Sequence, residues 1–418
     1  MEDERNWFVG VDWSSKTHHV HVADASGRKV GERAFTHGGE GLADMVAWLL
    51  TVTGAAPAAI FVAIETPHGP VVETLMQHGF RVHAINPKQL DRFRDRFSPA
   101  GAKDDSRDAE VLGDSLRTDP HCFRPLAPLD PIVVELREWS RIAEDLQAER
   151  NRLGNRVREQ LWRYFPQLLD VADDYAAPWF LDLWRLVPTP QKASRLRVAD
   201  LERLLKRYRI RRLAAEQLLA KLRTRAIPVA PGTVAAAQAH LKTLAKRLDL
   251  VNRQTAEANQ QIDRLTQSLA GDEEDADGQS NEQRDVTILR SIPGVGRTVL
   301  ATLLAEASET LHRRDYHALR CLSGVAPVTK RSGKSRMVIM RYAAQTRLRN
   351  AVYHWARVAV QHDARCRTKY AALRARGHGH ARALRSVADR LLAVACAMLE
   401  SRTTFNPDRT TKKLSPAA

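Results

Sequence analysis

The run AAIFVAIET (58–66) is a continuous apolar segment in a chain otherwise rich in charge. A strand of that pattern must be covered on both faces, so helices have to lie on either side of the sheet that holds it. WFVGVDW (7–13) is a second short apolar run of strand composition. HHVHVADA (18–25) alternates, with Val20 and Val22 on one face and His19 and His21 on the other, a face expected to be exposed. RKVGERAFTH (28–37) follows the turn signal Ser26-Gly27 as a third strand. GEGLADMVAWLLTV and PVVETLMQHGF read as helices, the second ended by Gly79, and RVHAINP reads as a further strand. Three strands in hairpin order, then alternating helices and strands, predict a mixed sheet with helices on its faces.

From Pro131 the pattern changes to that of an all-α protein. IVVELREWSRIAEDLQAERNRLGNRVREQLWRYF carries Leu136, Ile142, Leu146, Leu153, Val157 and Leu161 at helical spacing. A second helical region over about 196–269, broken near Pro228 and Pro231, ends in a long helix with Leu241, Leu244, Leu248 and Val251 on one stripe. Long helices with narrow apolar stripes predict a coiled-coil or helical-hairpin arm used in assembly, hence a dimer or tetramer. GDEEDADGQSNEQ (271–283) reads as a solvated linker. DVTILRSIPGVGRTVLATLLAEA places Pro293, Gly294 and Gly296 between two helical patterns, the shape of a helix-hairpin-helix. N–H groups opening its second helix, beside Arg297, suit a DNA phosphate. The fold class expected is therefore α/β plus all-α. Its parts are a sheet domain (1–128), a coiled-coil or helical linker domain (129–284), a mainly helical domain (285–400) and a disordered tail (401–418).

The partner follows from charge. Lys and Arg number 65 against 49 Asp and Glu, a net charge of +16. Between Lys330 and Arg390 there are sixteen Lys/Arg and only two acids, Asp363 and Asp389, a block too lopsided to pair with itself. Nucleic acid is the expected partner, held by Lys330, Arg331, Lys334, Arg336, Arg341, Arg347 and Arg349. No apolar run spans a bilayer and MEDERNW is not a signal peptide, so a cytoplasmic protein without a membrane partner is expected. Cys122, Cys321, Cys366 and Cys396 are too scattered for a zinc site or a disulfide framework. Trp139, Trp162, Trp179 and Trp184 read as packing residues, and the Gly377–His380 stretch as a basic loop.

Against that basic background, GAKDDSRDAEVLGD gathers acids. Asp105 and Asp108 share one helix face, where two carboxylates repel unless a cation lies between them. Asp12 ends the first strand and Glu65 another, both after buried positions. Asp12, Glu65, Asp105 and Asp108 thus come from three elements in the order a Mg²⁺ (or Mn²⁺) site for phosphoryl transfer needs. Asp104 is the neighbouring alternative, about 100° away around a helix.

A β-β-β-α-β-α order with D…E…D-x-x-D acids resembles the RNase H/RuvC resolvase group. GVDWSSKTHHVHV, IETPHG, INPKQLDRFR, AKDDSRDAEVL, IPGVG, LSGVAPVTKRSGKSR and LRNAVYHWA resemble more narrowly the DEDD-type insertion-sequence transposases. Lys103-Asp104-Asp105 stands where that family has K-T-D. The resemblance covers about residues 7–400. It implies a recombinase in which a RuvC-like domain is joined by a coiled coil to a second domain, with a structured noncoding bridge RNA pairing with donor and target DNA. It also implies a serine nucleophile forming a covalent phosphoserine link to DNA, here Ser332 of KRSGKSR, with Ser323 and Ser335 as rivals. A serine hydroxyl needs activation, for which the acid-bound Mg²⁺ is the candidate, with Lys330, Arg331, Lys334 and Arg336 holding the phosphate. In the family, acids and serine from different subunits are thought to combine. A plain metal-dependent nuclease or resolvase would need the acids and no serine. An actin-like kinase would need paired Gly-rich phosphate loops, which are missing. A non-catalytic nucleic-acid binder would leave the acids repelling phosphate.

Overall fold

The computed structural model describes residues 6–97, 104–127, 130–270, 281–333 and 335–407. The chain divides into two compact units, 1–129 and 130–418.

In the first unit, β1 (Trp7–Trp13), β2 (Thr17–Ala23) and β3 (Lys29–Thr36) form an antiparallel meander. Then follow α1 (Gly39–Thr53), β4 (Ile60–Ile64), α2 (Pro70–Gln77), β5 (Arg81–Ala84), α3 (Pro87–Phe97), α4 (Asp105–Thr118) and the two-residue β6 (Arg124–Pro125). The sheet order is β3-β2-β1-β4-β5-β6, with β1, β4 and β5 parallel and β6 antiparallel to β5. Alternation divides the strands between two cores. Val9, Val11, Val20, Val22, Ile60, Val62 and Ile64 pack with Leu42, Met45 and Leu49 of α1 and Leu75 of α2. On the opposite face Ala63 packs with Leu90 of α3 and Val111, Leu112 and Leu116 of α4. Both faces of β4 are therefore covered, as its apolar run requires.

The second unit opens with α5 (Pro131–Tyr164), whose N-cap Asp130 accepts a 2.7 Å bond from the Ile132 amide. After α6 (Pro178–Leu186), α7 (Pro190–Arg195), α8 (Val198–Arg207) and α9 (Ala215–Leu222) comes α10 (Pro231–Ala270). α5 and α10 pair antiparallel, as Arg264–Glu135 (2.9 Å), Arg150–Asn252 (2.9 Å) and Arg247–Glu149 (3.1 Å) mark along their length. One end of the pair is embedded with α6–α9, in a core of Leu153, Val157, Leu161, Phe180, Leu241, Leu244, Leu248 and Val251. The other end joins α11 (Asn281–Ser291), α12 (Arg297–Glu306), α13 (Ser308–His312), α14 (Tyr316–Leu322), α15 (Thr346–His362), α16 (Ala364–Ala375) and α17 (His380–Ser401). There Val133, Leu136, Ile262 and Leu265 pack with Leu300, Trp355 and Leu392. β7 (Val328–Ser332) and β8 (Ser335–Ile339) form a separate antiparallel hairpin.

Several expectations change. Leu241, Leu244, Leu248 and Val251 are buried within the single chain, so the stripe that suggested assembly is already covered. Ile142, expected on the apolar stripe of α5, and Trp162, expected to pack, are among the exposed large side chains. The α5–α10 pair and the helices expected as a separate domain after it share one core. The expected linker falls mostly outside the described residues, and Asn281–Gln283 belong to α11. The tail expected to be disordered from Ser401 continues as packed chain at least to Phe405, whose amide donates to Ser291 Oγ (2.8 Å). No helix among the described residues is long and apolar enough to cross a membrane.

Candidate active site and nucleic-acid interface

The first candidate site begins with a glycine. α4 lies so close to β1 that a Cβ on Gly10 would stand 1.8 Å from the Ala109 carbonyl oxygen and 2.6 Å from the Gly113 amide nitrogen. Only a residue without a side chain permits that approach. Asp12, two residues on, falls on the same face of β1. In the parallel register Gly10 lies beside Ala63 and Val11 beside Ile64, so the next pair in line is Asp12 and Glu65, at the C-terminal ends of β1 and β4. Asp105 and Asp108 occupy the first turn of α4, where unpaired N–H groups and the helix dipole favour negative charge. Asp105 Oδ2 lies 4.0 Å from Nε2 of His19, which pairs across the ladder with Asp12. Asp12 and Glu65 are half-buried, Asp105 is exposed, and Asp108 is 2% exposed. Asp104 caps the start of α4 and is exposed.

Asp108 is held by a residue the sequence reading passed over. Arg94 of α3 donates through Nε to Oδ1 (2.6 Å) and through Nη2 to Oδ2 (2.9 Å). Its Nη1 also bonds Asp91, one turn earlier on α3, and its charge acts on Glu65. Burial works against the guanidinium charge, but the bonds to Asp108 and the neighbouring acids outweigh it and raise its pKa. Among the described residues no three His, Cys, Asp or Glu side chains stand close enough together to hold one metal ion. The donor chemistry nevertheless fits a divalent cation: Mg²⁺ and Mn²⁺ take carboxylate oxygens. A carboxylate as buried as Asp108 needs a positive partner, and Arg94 supplies that charge here. Arg94 closes the string INPKQLDRFR, but nothing local links residues 94 and 108.

The histidine face of β2 is covered rather than exposed. His21 pairs with Gly10 and so lies under α4, 4% exposed, with neither ring nitrogen hydrogen-bonded. Burial lowers its pKa, opposed by Glu110 and Asp114 of α4 and Glu32, while Lys29 adds to the lowering. His18, fully buried, contacts His37 Nδ1 through Nε2 (3.0 Å), and burial followed by His37 lowers its pKa too.

In the second unit, Ser332 ends β7 and pairs across the hairpin with Ser335. Cross-strand partners share a face and successive residues alternate, so Ser332, Ser335, Lys330 and Met337 lie on one side, and Arg331, Arg336, Thr329 and Val338 on the other. Arg331 directly opposes Arg336, a like-charge pair that is unfavourable without an anion. Met337, Val338 and, just beyond the hairpin, Tyr342 are exposed. Lys334 lies outside the described residues. Ser323 is fully buried and its hydroxyl donates to the Leu319 carbonyl (2.7 Å), which leaves Ser332 and Ser335 as the accessible hydroxyls.

The other basic candidates have mixed surroundings. Arg347 is committed within the protein, bonding Glu144 (2.7 Å), Glu306 (3.0 Å) and Ser140 (3.0 Å). Arg297 forms a two-pronged pair with Asp263 of α10, both bonds 2.6 Å. Arg341 Nε lies 3.4 Å from the Ala326 carbonyl, and Arg349 is half-buried beside Gly324. Gly294, at φ 85°, packs against α15: an added Cβ would meet the Ala359 amide nitrogen at 2.9 Å. Trp355 Nε1 donates to the Pro293 carbonyl there (2.9 Å). Gly296, at the cap of α12, faces open space. A cavity of about 690 Å³, bordered by Lys369, Arg390, Met398 and Phe405, touches Pro293 but none of these arginines or glycines.

Comparison with known proteins matches both regions. A transposase family model for the DEDD domain of IS110 elements covers residues 9–166, and one described as the transposase IS116/IS110/IS902 family covers 286–371. The protein of the IS117 mini-circle of Streptomyces coelicolor, a transposase by its name, is 31% identical over all of this chain and 99% of its own length. The IS110 protein of 43.6 kDa from the same organism is 28% identical over 95% of each chain. Protein y4uE of Sinorhizobium fredii, also a transposase by name, is 66% identical over 51% of this chain, a match spanning 60% of its own length. With both domain patterns in order and full-length relatives on either side of 30% identity, the chain belongs to the IS110 family of insertion-sequence transposases.

Proposed function

We propose that this transposase cuts and rejoins DNA by attack of Ser332 on a phosphodiester, with Asp12, Glu65, Asp105 and Asp108 serving the same chemistry as ligands of Mg²⁺ or Mn²⁺. The observation that carries the reading is the arrangement of those four acids at the ends of β1 and β4 and the first turn of α4. Bound there, a divalent ion would stabilise the charge that develops on phosphate oxygens. Ser332 Oγ loses its proton and forms the bond to phosphorus, while the bond to one sugar oxygen breaks and that oxygen leaves as a hydroxyl. Rejoining is the same exchange with a hydroxyl from another strand as nucleophile. Lys330 shares the serine's side of the hairpin, which supports it as the residue that neutralises the attacked phosphate. Arg331 and Arg336 face the other way and suit a second stretch of backbone. Arg341 and Arg349 extend the basic surface, and Lys334 of the same segment is proposed to hold phosphate with them. Gly296 at the α12 cap offers backbone N–H groups in the manner of a helix-hairpin-helix, with Gly294 holding the turn and Arg297 beside it. Arg347 acts by fixing α15 rather than by touching nucleic acid.

Target choice is assigned to a structured guide RNA that pairs with donor and target DNA, and strand exchange to a dimer or tetramer. The family and the basic second unit support the first; exchange between two duplexes needs several active sites, which supports the second. The protein works on DNA in the cytoplasm.

The test is cleavage of donor and target DNA with the flanking noncoding RNA and Mg²⁺, read on denaturing gels for protein-linked DNA. An RNA-dependent adduct lost in Ser332→Ala and in Asp12→Ala is expected. An adduct that survives Ser332→Ala but not Ser335→Ala moves the nucleophile across the hairpin. Cleavage with no adduct, lost only in Asp12→Ala, makes the protein a metal-dependent endonuclease without a serine intermediate.

A further inference from the structure

We propose that Arg94 is a positioning residue of the acid site: its guanidinium holds Asp108 in the absence of metal, and a divalent cation enters by displacing it toward Asp91. The inference rests on the reading of Asp12, Glu65, Asp105 and Asp108 as metal ligands.

Three observations converge on it. Both oxygens of Asp108 are engaged by Arg94, in the two-pronged geometry that gives guanidinium–carboxylate pairs their strength. Asp108 is 2% exposed, so water cannot stabilise its charge and some cation must. A guanidinium and a divalent ion sharing one buried carboxylate would repel each other, which makes their occupancies exclusive. The third observation is the alternative seat. Nη1 of Arg94 already bonds Asp91, one turn back on α3, whose side chain is 67% exposed. Arg94 can therefore release Asp108 without losing its own counter-charge, swinging outward over a helix that is itself the connection between β5 and the acids of α4.

A permanent salt bridge and a displaceable one differ in what happens to metal affinity. If Arg94 occupies Asp108 in about nine molecules of ten, the apparent dissociation constant for metal is about tenfold weaker than the intrinsic one. Removing Arg94 should therefore tighten metal binding, although it leaves the metal-free protein with a buried, unpaired carboxylate.

The experiment titrates Mn²⁺ into the full-length protein without nucleic acid, following loss of the free-ion signal by electron paramagnetic resonance. Arg94→Gln is expected to bind Mn²⁺ about tenfold more tightly than the unmodified chain. It should also melt at lower temperature without metal and gain more from added Mn²⁺. Arg94→Lys, which keeps a cation but loses the fork, should fall between the two, and it carries the comparison if Arg94→Gln does not fold. Asp91→Asn, which removes the alternative seat, should weaken Mn²⁺ binding. Equal or weaker binding by both Arg94 variants, with binding still lost in Asp12→Asn, would overturn the proposal while leaving the metal site standing. Absence of Mn²⁺ binding in every protein, or binding indifferent to Asp12→Asn, would overturn the metal-site reading and the proposal together.

Discussion

Asp108 is 2% exposed and clamped by a guanidinium, whereas every residue of β7 after Val328 and of β8 before Ile339 faces solvent. The acids stand where two strands and a helix are packed to the limit of contact. The hairpin is a two-stranded ribbon with its own turn at Gly333 and little beneath it. The acid end is thus fixed by tertiary packing, with Arg94 supplying the counter-charge to Asp108. The hairpin is organised locally, by the pairing of its two strands.

The sharpest way to break that contrast is Gly10→Val. The new side chain would collide with the α4 backbone, and overpacking against backbone cannot be relieved by a rotamer change, so a loss of about 3 kcal/mol is expected. Hydrogen exchange in β1 and α4 should rise together, and the acids should lose their function with the fold of that face. Gly333→Ala is the counterpart. Nothing lies within 4 Å of its added Cβ, but φ is 52°, so the strain is that of a left-handed alanine, about 1 kcal/mol, confined to exchange within the hairpin. Equal effects of the two substitutions would erase the distinction.

A smaller effect concerns pH. His18 and His21 have folded pKa values lowered from 6.5, chiefly by burial, so below 6.5 the unfolded chain takes up protons that the folded one refuses. Their contribution is fully present above pH 6.5 and is lost as pH falls from there toward the folded values. The melting temperature of the first unit should drop on acidification over that window, and His21→Leu should flatten the drop. No flattening would mean that another group carries it. The smallest effect separates the arginines. Arg336→Gln should reduce the salt dependence of DNA binding by about one unit of slope, while Arg347→Gln should leave the slope unchanged, since Glu144 and Glu306 hold its charge.

Much of the first unit was legible in the chain because two of its strands are short apolar runs that end near acids and a third alternates. Asp12 and Glu65 stood out as carboxylates following buried positions and Asp105 and Asp108 as two acids on one helix face, and the register of β1 and β4 sets Asp12 in line with Glu65. His21 was misread as exposed, because alternation gives the two faces of a strand but not which is covered; α4, nearly a hundred residues later, covers that one. The stripe on α10 was read correctly as apolar, and of the coiled coil or helical hairpin expected from it the structure forms the second, because the surface that buries it comes from α5 and α6–α9 of the same chain.

Local sequence determined the helices, the acidic turn of α4 and the basic excess after Lys330, because backbone preference and side-chain charge act over a few residues, whereas the stretch around Ser332 carried no strand signal and its hairpin is a finding of the structure. Only the tertiary structure decided that Arg94 reaches Asp108, that Arg347 and Arg297 are tied to acids of other helices, and that Ser323 is sealed while Ser332 is open. Those outcomes depend on which distant surfaces meet, and a buried charge takes whatever partner packing brings within reach.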